Sequence, residues 1–171
     1  MSVEFKDGLT ALLPQLRGYA RSFERDAARA DDLVQEALLK AWEKRDRFEP
    51  GSNLKAWVFA ILRNQARSQF RKSSREVEDV DGEYADALST GGMQEARLEN
   101  LELQAALARL PAEQREAVIL ICACGVSYQE GARISGISVD AMKTRVSRAR
   151  KGLVELTTAA PKRRSGLDAV A

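Results

Sequence analysis

Apolar residues recur along this chain at three- and four-residue intervals and hardly anywhere in strict alternation, a pattern that predicts an all-α protein. From Glu4 to about Arg75 the period is helical throughout and predicts three or four helices, the first opened by Leu9, Leu12, Leu13 and Leu16. A second helix is expected from about Ala30 to Lys44. Leu33, Ala37 and Trp42 are its apolar positions, while Asp31, Asp32 and Glu36 crowd the N-terminal half, where the helix dipole favours acids. Phe48-Glu49-Pro50-Gly51-Ser52-Asn53 reads as a loop, because Pro and Gly adjoin and the residue before Pro is pushed out of the helical region. Leu54 then begins a longer helix, with Val58, Phe59, Leu62, Ala66 and Phe70 on one side and Arg63, Arg67, Arg71 and Arg75 at four-residue spacing on another.

After Glu76 the apolar period is lost, and the stretch to about Gln94 is acidic and ends in Ser89-Thr90-Gly91-Gly92, as a flexible linker would. Helical spacing returns with Leu98, Leu101, Leu103 and Leu107, breaks at Leu110-Pro111, and resumes through Val118, Ile119, Leu120 and Ile121, with Pro111 suited to a first helical position. The expected architecture is two small helical domains, residues 1–76 and 97–159, joined by an acidic linker, 77–96, and followed by a disordered tail, 160–171.

The most informative stretch is Ser127 to Leu153, two helices hinged at Ser135-Gly136-Ile137. Gly136 supplies the positive φ of a tight turn, Ser138 suits an N-cap, and Ala132 is small enough for two helices to cross closely. In the second helix Met142, Val146, Ala149 and Leu153 form one apolar stripe. The opposite face is centred on Asp140, Thr144, Ser147 and Lys151, flanked by Lys143 and Arg148. This is the form of a helix-turn-helix that sets donors against a major groove. A solvated basic face on a packing helix is the competing account, and the glycine hinge and N-cap weigh against it. The arginine stripe before the linker is a less specific second candidate; Asn64 and neighbouring aromatic residues suit it to single strands.

Charge sharpens this picture. The 171 residues carry a formal net charge of only +2, yet 133–164 holds nine cations against Asp140 and Glu155, a net of about +7. Residues 76–102 hold nine acids against Arg97, a net of about −8. There is no histidine, and Cys122 and Cys124 are separated by a single residue in an apolar helix, where buried free thiols are expected rather than a metal or redox pair. No Ser/His, Cys/His or metal constellation exists, so no enzyme, cofactor or metal is expected. The N-terminus lacks a signal-peptide pattern and no apolar run approaches membrane length, so a soluble, cytoplasmic protein is expected.

A cationic helix-turn-helix on one domain and a cationic helix beside aromatics on another suit a protein that grips duplex DNA at one point and an opened strand at another. The chain resembles a bacterial sigma factor of the extracytoplasmic-function (ECF) group. The block RADDLVQEALLKAW is similar to region 2.2, FEPGSNLKAWVFAILRN to regions 2.3 and 2.4, and LPAEQREAVIL with VSYQEGARISGISVDAMKTRVSRARKGL to region 4. Within that group the EFK opening, ARADDLVQE, FEPGSNLKAW and SQFRKSSREVEDVDG look like the alphaproteobacterial general-stress-response (EcfG-type) factors.

The resemblance implies a promoter-specificity subunit that binds core RNA polymerase, directs it to general-stress promoters and aids their opening. Asp32, Gln35, Glu36 and Trp42 would meet the polymerase clamp helices, and the second domain would dock on the flap. Lys143, Thr144, Ser147, Arg148 and Lys151 would read the minus-thirty-five duplex, where one good bidentate pair is worth roughly 1–3 kcal/mol of discrimination. Phe48, Gly51, Ser52 and Asn64 would trap a flipped minus-ten base, with Arg63, Arg67 and Arg71 on phosphates. The acidic linker would thread the polymerase's cationic interior, although solvated disorder also accounts for its charge. A NepR-type anti-sigma factor would hold the factor in check, and the free protein would be a monomer.

Two positions depart from the pattern. Family members commonly carry a small residue where this chain has Asp140, and an acid facing a groove repels phosphate unless it accepts from a cytosine amino group. Gly131 inside the first helix of the motif costs about 1 kcal/mol relative to Ala. The alternative function is a sigma-mimicking adaptor that sequesters the anti-sigma factor without binding DNA; the cationic faces and the lack of a receiver domain weigh against it. A dimeric repressor would leave the first domain unexplained.

Overall fold

The computed structural model describes residues 2–76 and 94–158, with side chains for 4–71 and 101–158. Every regular element among them is helical. The expected linker core and tail lie outside the described residues, as do the side chains of Arg75 and Leu98.

In the first half, α1 (Ser2–Ala20), α2 (Ala27–Glu43) and α3 (Leu54–Glu76) pack around Leu9, Leu16, Tyr19, Leu33, Val34, Ala37, Val58, Phe59 and Leu62. α2 starts three residues before its predicted Ala30 because Asp26 caps it, accepting from the Arg29 amide at 2.9 Å. A 3₁₀ turn at Arg45–Arg47 then leads through the Pro-Gly loop, where Gly51 has φ 87°, to α3. The Asn53 side chain caps α3, accepting from the Ala56 amide at 3.1 Å.

In the second half come α4 (Gln94–Arg109), α5 (Ala112–Val118), a π turn at Ile119–Ala123, α6 (Tyr128–Ser135) and α7 (Val139–Thr158). α4 opens inside the stretch 77–96 that the sequence assigns to the linker, because Gln94, Glu95, Ala96, Arg97 and Leu98 are all good helix formers whatever their charge. Pro111 stands one position earlier than expected, as the N-cap of α5. α6 has a full capping box: Ser127 accepts from the Glu130 amide, and the Glu130 carboxylate accepts from the Ser127 amide. Hydrogen bonds from Ser127, its hydroxyl first of all, hold the Glu130 carboxyl below its usual range. α6 ends at Gly136 with φ 66°, the left-handed residue the hinge requires, and Ser138 Oγ accepts from the Ala141 amide at 3.1 Å at the start of α7.

Met142, Val146 and Ala149 are buried on α7, against Ala117 and Ala132 or against Leu110 and Val118. Gly131 has a packing reason that offsets its poor propensity. A Cβ there would stand 2.7 Å from Ile121 Cδ1, so the bare glycine lets α6 lie close on the π turn without turning the Ile121 side chain aside.

The halves share one core. Leu120, Cys124, Val126 and Ile134 belong to the same buried cluster as the apolar residues of α1, α2 and α3. Cys122 departs from expectation: it is exposed, with Arg150 Nη2 at 3.2 Å from its Sγ, while Cys124 is buried. Two residues apart on one helical turn, the thiols point to different sides. Burial pushes the Cys124 thiol up to about 11.

Candidate nucleic-acid interface

On α7 the helix-turn-helix sets Asp140, Lys143, Thr144, Ser147, Arg148 and Lys151 on the exposed side. Their charges are only locally engaged. Lys143 Nζ stands 3.6 Å from the Asp140 carboxylate, and Thr144 Oγ1 donates to the Asp140 carbonyl at 2.8 Å. Arg145, one position round from this face, pairs with Glu113 of α5 at 2.8 Å. Between the two helices runs an open groove of about 470 Å³, lined by Pro111, Glu113, Thr144 and Arg148 among others. A row of exposed donors on one helix face has the chemistry to meet phosphate oxygens and base edges. The Asp140 carboxylate lies in ion-pair range of Lys143, an exposed and therefore weak pairing that offsets part of its repulsion of phosphate.

The minus-ten set is divided by the structure. Gly51 and Ser52 are exposed, the Ser52 hydroxyl donating to the Glu49 carbonyl at 2.7 Å. Asn64 is exposed too, but ten residues into α3, about 15 Å along the axis from Leu54 at 1.5 Å per residue. The loop and Asn64 are therefore two contact points on a strand. Phe48 is half-buried, its ring 5.6 Å from Phe5 and 5.4 Å from Trp57 in an aromatic cluster that braces the loop. Its ring packs against those two neighbours and keeps part of its surface in solvent.

Arg67 and Arg71 are exposed as a phosphate track needs, and Arg63 is not. Only 7% of Arg63 is accessible, and its Nε donates to Glu116 Oε1 at 2.6 Å, so the expectation that it holds a phosphate does not describe this arrangement. Tyr19 Oη donates to the same oxygen at 3.0 Å and Ser135 Oγ at 3.4 Å. Burial, and then the Glu116 carboxylate beside it, hold the Tyr19 hydroxyl well above its ordinary pKa. Further polar contacts join the halves. Lys55 Nζ donates to the Cys124 carbonyl, Asn53 Nδ2 to Glu130 Oε1, Arg25 to the Ala108 carbonyl at 2.7 Å, and Arg115 to the Ser22 carbonyl at 3.0 Å. Burial and the nearby Arg25 guanidinium lower the Arg115 pKa. Glu116 and its partners lie in separate sequence blocks, which is why spacing alone does not reveal them.

On α2, Asp32, Gln35, Glu36 and Trp42 are all exposed, and Glu36 accepts from the side chains of Gln65 and Gln69 on α3. Trp42 lies under the Arg45 guanidinium, 5.2 Å from the ring centroid. Sequence reasoning missed Leu39, 64% exposed, which with Gln35 and Trp42 lines a mostly apolar groove of about 370 Å³ between α1 and α2.

The chain matches two family models, Sigma-70 region 2 over residues 9–76 and Sigma-70 region 4 over residues 100–153. A region 2 bundle followed by a region 4 helix-turn-helix defines a promoter-recognition factor of the sigma-70 class. Among curated relatives, the ECF RNA polymerase sigma factor EcfG of Rhodopseudomonas palustris (strain TIE-1) is 52% identical over 151 residues, covering 88% of this chain and 83% of its own. The chain belongs to the ECF RNA polymerase sigma factors, and it is not an enzyme.

Among solved structures, the sigma factor RpoE in complex with the anti-sigma factor NepR from Bartonella quintana is similar, with a TM-score of 0.80 and 47% identity, covering 92% of this chain and 98% of that one. The PhyRSL–NepR complex from Sphingomonas sp. Fr1 is similar in fold alone, with a TM-score of 0.66 at 20% identity over 89% of this chain and 88% of that one. No helix of the described residues is long and apolar enough to cross a membrane.

Proposed function

We propose that this sigma factor directs core RNA polymerase to general-stress promoters through the exposed residues described above, and that a NepR-type anti-sigma factor restrains it. Asp32, Gln35, Glu36 and Trp42, joined by Leu39, meet the polymerase clamp helices. Lys143, Thr144, Ser147, Arg148 and Lys151 face the minus-thirty-five duplex, while Gly51, Ser52, Asn64, Arg67 and Arg71 contact the minus-ten strand. It works in the cytoplasm, where polymerase and promoter are found. The observation that carries this reading is the 52% identity to an EcfG factor across both modules, together with a recognition helix whose donors are exposed. The NepR assignment is supported by the likeness to a sigma chain solved with that partner.

Run-off transcription from general-stress promoters with purified core polymerase tests it, comparing wild type with Asn64→Ala and Arg148→Ala. Promoter-dependent transcripts that both substitutions weaken are expected. The fold likeness to the PhyRSL domain keeps one other reading in view, an adaptor that binds the anti-sigma protein alone. Tight NepR binding with no transcript from any promoter would select the adaptor.

A further inference from the structure

We propose that Glu116 latches the two halves closed, and that Asn53, Lys55 and Arg63 alternate between this latch and the minus-ten strand. The proposal rests on the promoter-binding reading above and adds residues and a switch to it. All three side chains belong to α3 or its cap, on the helix that also carries Asn64, Arg67 and Arg71. In the closed chain each is already spent on the second half: Arg63 on Glu116, Lys55 on the Cys124 carbonyl, Asn53 on Glu130. The Arg63 guanidinium is buried with its Nε 2.6 Å from the Glu116 carboxylate, so no phosphate reaches it in the closed chain, and the two anions offer it the same oxygen geometry. Carboxylate and phosphate therefore compete for Arg63.

Exchange must be concerted. If Arg63 left alone, Glu116 would keep a buried charge with only the Tyr19 and Ser135 hydroxyls to meet it. The halves have to part for that carboxylate to reach water, and parting also frees Asn53 and Lys55. Asn53 adjoins Ser52 and Lys55 lies in the first turn of α3, so opening uncovers donors at the start of the helix in addition to Arg63.

Small-angle scattering and amide hydrogen exchange on the full chain test the latch without reference to transcription. Glu116→Gln keeps the shape and removes the charge, so it should lower the closed-to-open ratio roughly ten- to a hundredfold, as loss of a charged hydrogen bond does. The radius of gyration should rise, and amides of 53–63 and 124–135 should lose protection. A single-stranded oligonucleotide carrying the non-template minus-ten sequence should bind Glu116→Gln more tightly than wild type, whereas Arg63→Gln should open the chain without that gain. Should Glu116→Gln lose helical content by circular dichroism, Tyr19→Phe, which removes one donor to Glu116 and no proposed strand contact, carries the same comparison with a smaller shift. A Glu116→Gln chain as compact as wild type overturns the latch. Opening with no gain in oligonucleotide affinity, including no binding by either chain, overturns the sharing of Arg63. Run-off transcription by wild type reports separately on the function itself.

Discussion

The chain has two cationic helices, α3 and α7, and they use their charge in opposite ways. α7 keeps Lys143, Arg148 and Lys151 in solvent, with Asp140 one turn from Lys143 as a local brake, and buries a clean stripe of Met142, Val146 and Ala149 beneath them. α3 surrenders its first arginine to the interior and leaves its last aromatic, Phe70, 74% exposed. One helix presents a surface; the other is divided between a surface and a seam.

Helical pitch explains the division. At about 100° per residue, a four-residue repeat advances about 40° each step. The buried residues Val58, Phe59, Leu62 and Ala66 centre a sector from which Arg63 lies only about 85° away, against about 125° for Arg67 and about 165° for Arg71. A row that looks uniform in sequence is thus a spiral that starts beside the core. Phe70 fails in the other direction. It faces the side on which Arg63 meets α5, about two turns further along, where no described residue covers it.

The largest expected effect that would break this contrast comes from matched truncations. Arg63→Ala should destabilise the closed chain by about 3–5 kcal/mol in urea denaturation, because it strands the Glu116 carboxylate, while Arg148→Ala should change stability by less than about 0.5 kcal/mol. Equal values would mean that the two helices do not differ. Gly131→Ala should change stability by less than about 1 kcal/mol, because the added methyl meets only the tip of the Ile121 side chain at 2.7 Å, which can turn aside, and the better helix propensity offsets the rotamer cost; a thermal melt reads it directly.

A smaller, pH-dependent loss belongs to the seam alone. The Cys124 pKa is raised in the folded chain from 9.0 to about 11, so the unfolded thiol ionises first. Its contribution is intact below pH 9 and declines between pH 9 and about 11, and Tyr19 adds to the loss above its ordinary value of 10.0. Stability curves of wild type and Cys124→Ala across that window should converge. The smallest effect concerns the outer arginines. Replacing both Arg67 and Arg71 with Gln should leave stability unchanged and lower the salt slope of single-strand binding by about 0.7 for each phosphate that is no longer neutralised.

Much of this was legible beforehand. The helix-turn-helix could be read because its signals are local: a left-handed glycine, a serine cap and an apolar stripe all lie within Ser127 to Leu153. The exposure of Asp32, Gln35 and Glu36 on α2 also follows from local spacing, while that of Leu39 does not, because an exposed leucine is indistinguishable from a core one in a periodic pattern. What could not be read is everything that depends on α5 meeting α3. Glu116 sits in LPAEQREAVIL like any solvated acid on a helix, and nothing within ten residues of it announces Tyr19 or Arg63. Spacing reports which side of a helix a residue occupies, not what arrives there from a segment fifty or a hundred positions away.

Both sides of the Glu116 contact lie in one polypeptide, and this fixes the reaction order of closing. The step is unimolecular: dilution does not weaken it, and making more of the protein does not strengthen it. Anything outside the chain that competes for those surfaces, whether polymerase, promoter or restraining partner, binds in a second-order step and must be supplied at sufficient concentration. The set point of the closed state is thus written into the chain, while its opening is governed by the abundance of other molecules.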